Sequence, residues 1–119
     1  MSRPTVVQLV RGLRAWTKDH DLHVRAAVEL VIGHDVWLRR SEFLRACVHR
    51  SADGSCWIDW REARAAFDAG ELNTASSTEV AVLDFAIALG EDRYRFNYMG
   101  GSNSRLLVEA TVRALGGAR

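Results

Sequence analysis

One proline, two cysteines and one lysine are all that this 119-residue chain holds of three residue types whose abundance usually marks an architecture. The near absence of proline excludes polyproline and collagen-like structure. Cys47 and Cys56 allow one disulfide at most, too few for a cross-linked framework or for paired zinc knuckles, and both read as thiols. No run approaches the 18 or so apolar residues of a membrane span, and Met-Ser-Arg-Pro-Thr at the start lacks the apolar core of a secretory signal, so no membrane association and a cytoplasmic location are expected. The glycine spacings of a P-loop and of a dinucleotide fingerprint are missing as well.

What is present fits one globular domain. The 48% of hydrophobic and 26% of charged residues are near the usual averages, and a chain of this length buries roughly 65% of its unfolded surface. The net charge of +1 conceals an uneven distribution: residues 51–92 carry only Arg61 and Arg64 against nine acids, whereas residues 93–119 carry five bases against Glu109. If the acidic middle and the basic ends occupy opposite faces, two copies can pair head to tail. A monomer or a weak homodimer is expected.

Apolar periodicity predicts a mostly α protein, a compact bundle of five to six short helices with one small β-hairpin near residues 47–58. Val6, Leu9, Val10, Leu13 and Trp16 share one helical face after Pro4. Asp19 or Asp21 starts a second helix through Leu22, Ala27, Leu30 and Val31, with Gly33 placed to close it, and Ser41 is an N-cap candidate for a third. Ser51-Ala52-Asp53-Gly54 is a turn signal between Cys47-Val48-His49 and Cys56-Trp57-Ile58, which can pair as a hairpin. Asp59 with Glu62, and Ser76 with Glu79, have capping-box spacing ahead of helices that run toward Gly70 and Gly90. Residues 94–98 alternate as an extended segment would, but a crossing loop is equally compatible. Ser102 or Asn103 can cap a last helix containing Leu106, Leu107, Ala110, Val112 and Leu115.

From Cys47-Val48-His49 through Ile58-Asp59-Trp60, Ala69-Gly70, Ser76-Ser77-Thr78-Glu79 and Val82-Leu83 to Leu106-Leu107-Val108-Glu109-Ala110, the order of motifs resembles that of small helical proteins of actinobacteria and their phages. The resemblance implies a helical fold, with no activity to carry over, because the shared positions are caps and apolar helix residues.

Candidate chemistry is sparse. Cys47, His49 and Cys56 have a thiolate–imidazole composition suited to zinc, but no local fourth ligand, so a buried thiol pair and an ordinary histidine are favoured and neither a metal site nor a cofactor is expected. Asp59 with Glu62, and Glu79 with Asp84, are explained by helix caps and solvated faces. Arg39, Arg40, Arg45 and Arg50 punctuate an aromatic-containing segment in the manner of a phosphate-tracking surface. Trp57, Trp60, Tyr94 and Tyr98 are the candidate anchors for a protein partner, since large aromatics dominate interface energetics. The expectation is a protein-binding module without enzymatic activity, of regulatory or host-modulating type; the alternative is a nucleic-acid-binding regulator that uses the arginines of residues 39–50.

Overall fold

The structure, a computed structural model, describes residues 3–117. Six helices and one hairpin follow in order: α1 (Val6–Thr17), α2 (Leu22–His34), α3 (Ser41–Cys47), β1 (Val48–Arg50), β2 (Cys56–Ile58), α4 (Trp60–Asp68), α5 (Ser77–Gly90) and α6 (Gly101–Ala114). Short 3-10 turns at Trp37–Arg39 and Phe96–Tyr98 precede α3 and α6. No helix among the described residues is long and apolar enough to cross a membrane.

Side-chain caps account for three of the six helix starts. Thr5 closes a reciprocal box with Gln8 ahead of α1, its amide donating to Oε1 at 2.9 Å and its hydroxyl accepting from the Gln8 amide at 3.1 Å. Asp59 accepts from the Glu62 amide at 2.9 Å to start α4, and Ser76 with Glu79 forms the expected box at α5. Three ends differ from expectation: α6 follows Gly100, with Ser102 and Asn103 inside the helix rather than capping it. Gly33 lies inside α2, and Asp35 takes the left-handed cap at φ 57°, a conformation that Asp tolerates through its short polar side chain. Ser41 is the first residue of α3, after Arg40 in extended conformation.

The hairpin forms with the register Val48↔Ile58, His49↔Trp57 and Arg50↔Cys56. Cys47 ends α3 rather than entering the strand. At the tip, Asp53 accepts from the Ser51 hydroxyl and, at 3.0 Å and 2.8 Å, from the amide and hydroxyl of Ser55. These donors, Ser51 first, hold its carboxyl down to about 2.

α5 is the centre of the bundle. Leu83, Ala86, Ile87, Ala88 and Leu89 are buried, and α2 packs along this helix with Ala27, Val28 and Val31. Trp37 is buried above the N-terminal end of α5, donating from Nε1 to the Glu79 carbonyl at 3.2 Å. Arg64 on α4 reaches Asp84 at 2.9 Å and Glu91 at 3.2 Å, and so ties α4 to the middle and the C-terminal end of α5. On the other side, Leu9 and Leu13 of α1 are buried where α1 packs on β2. Two glycines permit close approaches: a Cβ on Gly12 would lie 2.5 Å from the Cys56 sulfur, and one on Gly90 would lie 2.2 Å from the Trp60 ring.

The expected mostly helical bundle with one small hairpin is present, and α6 lies at its margin. None of its residues is buried, and it packs substantially on no other element. The molecule is accordingly elongated, 49 × 33 × 25 Å.

Gly12→Ala and Gly90→Ala should each destabilise the bundle by about 1–3 kcal/mol, the usual cost of overpacking, read as a lowered chemical-denaturation midpoint. Acidification tests the hairpin tip. Because the folded-state Asp53 carboxyl is depressed, its contribution is present above the ordinary aspartate range near 4 and is lost as the pH falls toward about 2. Asp53→Asn should flatten that part of the stability-versus-pH curve; an unchanged slope counts against the assignment.

Candidate functional site

The sulfur and imidazole groups do not assemble into one site. Cys47 is fully buried in the core, its thiol donating to the Phe43 carbonyl at 3.4 Å, and burial, followed by the nearby Glu62 and Asp59 charges, pushes its ionisation far up. Cys56 is also buried, and its thiol is raised by burial, against an opposing effect of Arg50. A thiolate ligand or nucleophile needs the opposite environment. His49 turns instead to Glu62, which its Nε2 meets directly, and stacks on Trp57 with centroids 5.4 Å apart.

His49, Asp59 and Glu62 do present ligand atoms within 4.8 Å of one another. Their geometry is accounted for by folding. Asp59 caps α4, Glu62 is three residues further on, and the positive end of the helix macrodipole favours these carboxylates while disfavouring a cation beside them.

The four arginines separate into two pairs. Arg39 makes a two-pronged contact with Asp35, both distances 3.1 Å. Arg40 donates to Glu79 at 2.9 Å and lies over the Trp37 ring, 5.3 Å from its centroid. The Glu79 carboxyl is lowered by the Ser76 amide and then by Arg40. Arg45 and Arg50 have no carboxylate partner among the described residues, and with Arg3 they rim a recess floored by Leu9, Leu44 and Val48. Sequence spacing could not distinguish the pairs, because the Arg40 partner lies 39 residues away.

The aromatic candidates divide in the same way. Trp60 is 9% exposed and pressed over Gly90, so it belongs to the core rather than to a partner-binding surface. Trp57 is half-buried between His49 and Trp16, the two indoles 6.3 Å apart. Tyr94 and Tyr98 are surface residues, Tyr98 at 81% exposure. Residues 94–98 form no strand: Arg95 adopts a left-handed conformation at φ 51°, and a 3-10 turn follows.

Around Tyr94 the structure gathers residues that the sequence reading passed over. Phe85 and Phe96 flank its ring at 5.9 Å and 5.7 Å, all three partly exposed. α6 leaves Leu106, Leu107, Val108 and Val112 in solvent, as does its C-cap Leu115, at 78% exposure. A signal was available in Leu106-Leu107-Val108: successive helical residues are about 100° apart, so three apolar neighbours cannot all face one core. Exposed apolar side chains in such number characterise interaction sites.

Comparison with known proteins yields no match among family models, curated proteins or solved structures. The geometry therefore carries the functional reading.

Both cysteines should react with a thiol reagent orders of magnitude more slowly in the native chain than in denaturant, as buried, protonated thiols do. Rapid native-state labelling of Cys47 would contradict its placement.

Proposed function

We propose that this chain is a protein-binding module without enzymatic activity, and that its contact surface is the aromatic group Phe85, Tyr94, Phe96 and Tyr98 together with α6. The single observation that supports this reading is α6: a 14-residue helix carrying two leucines and two valines with no residue buried, followed by an exposed Leu115 at its C-cap. Burying one such side chain is worth about 1.5–3 kcal/mol, so an exposed helix of this composition gains strongly from a macromolecular surface. The motif resemblance to small helical proteins of actinobacteria and their phages favours a regulatory or host-modulating setting.

A second reading rests on Arg45 and Arg50, which lack acid partners and share a recess with Arg3. Their charges suit a phosphate backbone, and nucleic acid is the class of ligand they would take. It ranks lower because Arg39 and Arg40 are held by Asp35 and Glu79, and because two unpaired arginines give few phosphate contacts.

Tyr98→Ala and Leu106→Ala should abolish capture of a partner from a lysate of the producing organism while leaving the melting temperature of the dilute chain unchanged. Trp60→Ala should instead lower stability by about 3–5 kcal/mol, as removal of a buried aromatic does. Submicromolar, steeply salt-dependent DNA binding that is lost in Arg45→Ala/Arg50→Ala would reverse the ranking.

A further inference from the structure

Resting on the protein-binding reading of α6, we infer that the partner this surface is built for is a second copy of the chain, the two copies exchanging their α6 helices across the Phe85–Tyr94–Phe96 surface.

The composition of α6 asks for cover on more than one side. Arg105, Glu109 and Arg113, spaced by four, form one polar stripe, and Leu106, Leu107, Val108, Val112 and Leu115 occupy much of the remaining circumference. A helix with so wide an apolar arc is normally surrounded rather than laid on one flat surface. In a two-fold pair each α6 meets the body of the other copy on one side and the symmetry-related α6 on another, a self-complementary arrangement.

Charge selects the same partner. Arg105 and Arg113 form no ion pair among the described residues, although residues 51–92 of the same chain hold nine acids against two bases. Arg64 is already shared among Asp68, Asp84 and Glu91. Asp84 and Asp92 flank the aromatic surface in sequence, and one Asp92 carboxylate oxygen is buried with no hydrogen-bond partner. α6, with Arg105 and Arg113 against Glu109, and the acidic segment 51–92 do not neutralise each other within one chain and are complementary between two.

The area is sufficient. With about 200 Å² for a whole aromatic side chain and somewhat less for Leu or Val, the exposed fractions of Phe85, Tyr94, Phe96, Tyr98 and the α6 residues amount to on the order of 800 Å², about what each partner contributes to a standard interface.

The direction of α6 is set locally. Gly100, its N-cap, has φ 64° and ψ 163°, a region essentially restricted to glycine, and a Cβ there would meet nothing within 4 Å. Glycine at this position therefore serves the backbone conformation that aims α6 outward, not a tight packing contact.

Sedimentation equilibrium of the full chain across the micromolar range tests the inference, at low salt and near 1 M salt, where screening contracts to about 3 Å. The expected result is a dimer that weakens several-fold at high salt, with a melting temperature that rises with protein concentration. Leu106→Glu/Val108→Glu in α6 and, separately, Phe85→Glu on the body should each give a monomer whose melting temperature no longer depends on concentration. Mixing those two variants restores one of the two exchanged contacts and should yield a heterodimer. A chain that stays monomeric throughout, or a dimer that survives both sets of substitutions, overturns the inference. A monomer that still captures a different protein through α6 overturns it while leaving the protein-binding reading intact; a monomer that captures none defeats both.

Discussion

Everything in the bundle depends on how α5 is enclosed. Leu83, Ala86, Ile87, Ala88 and Leu89 are buried on more than one side of this helix, so it needs neighbours around much of its circumference. α2 packs along it, α4 is fastened to it by Arg64, and the Trp37–Arg40 pair caps its first turn through Glu79. Small residues make these approaches feasible. At Gly90 the missing side chain is replaced by the indole of Trp60, which places a large aromatic in the core at the junction between hairpin and bundle.

That enclosure stops at Glu91. The chain turns through left-handed Asp92 and Arg95, makes one 3-10 turn, and leaves through Gly100 into a helix that has no side-chain N-cap and no apolar cover. The contrast with α5 is partly compositional, since α5 holds nine apolar residues and α6 six. Both helices are 14 residues long and rich in Leu, Val and Ala, yet one is encased and the other stands in water. An apolar helix in that position stores binding free energy that folding of its own bundle does not release.

The electrostatics follow the same division. Arg14 with Glu29, Arg40 with Glu79 and Arg64 with its three acids join elements of the bundle. Arg45, Arg50, Arg105 and Arg113 have no such role, and they lie where the surface is available to another molecule. The thiols carry no comparable potential for reaction, because burial suppresses their ionisation.

The sequence by itself determined what depends on neighbours a few residues apart. The Asp59–Glu62 and Ser76–Glu79 caps, the turn before Gly54 and the left-handed stop at Gly70 were legible because hydrogen bonds of that range do not need a tertiary partner. The Thr5–Gln8 box was equally local but was obscured by Pro4 beside it. Tertiary structure alone decided which of two similar residues performs which task. Trp60 entered the core because Gly90, 30 positions later, left room for its ring, whereas Tyr98 met nothing and stayed outside. Arg40 was bound by Glu79 across 39 residues, whereas Arg45, one helical turn further along, was not. Burial and ion pairing are set by which surfaces meet in space, and periodicity records only that a surface exists, so the apolar face of α6 was readable as a helix face but not as an uncovered one.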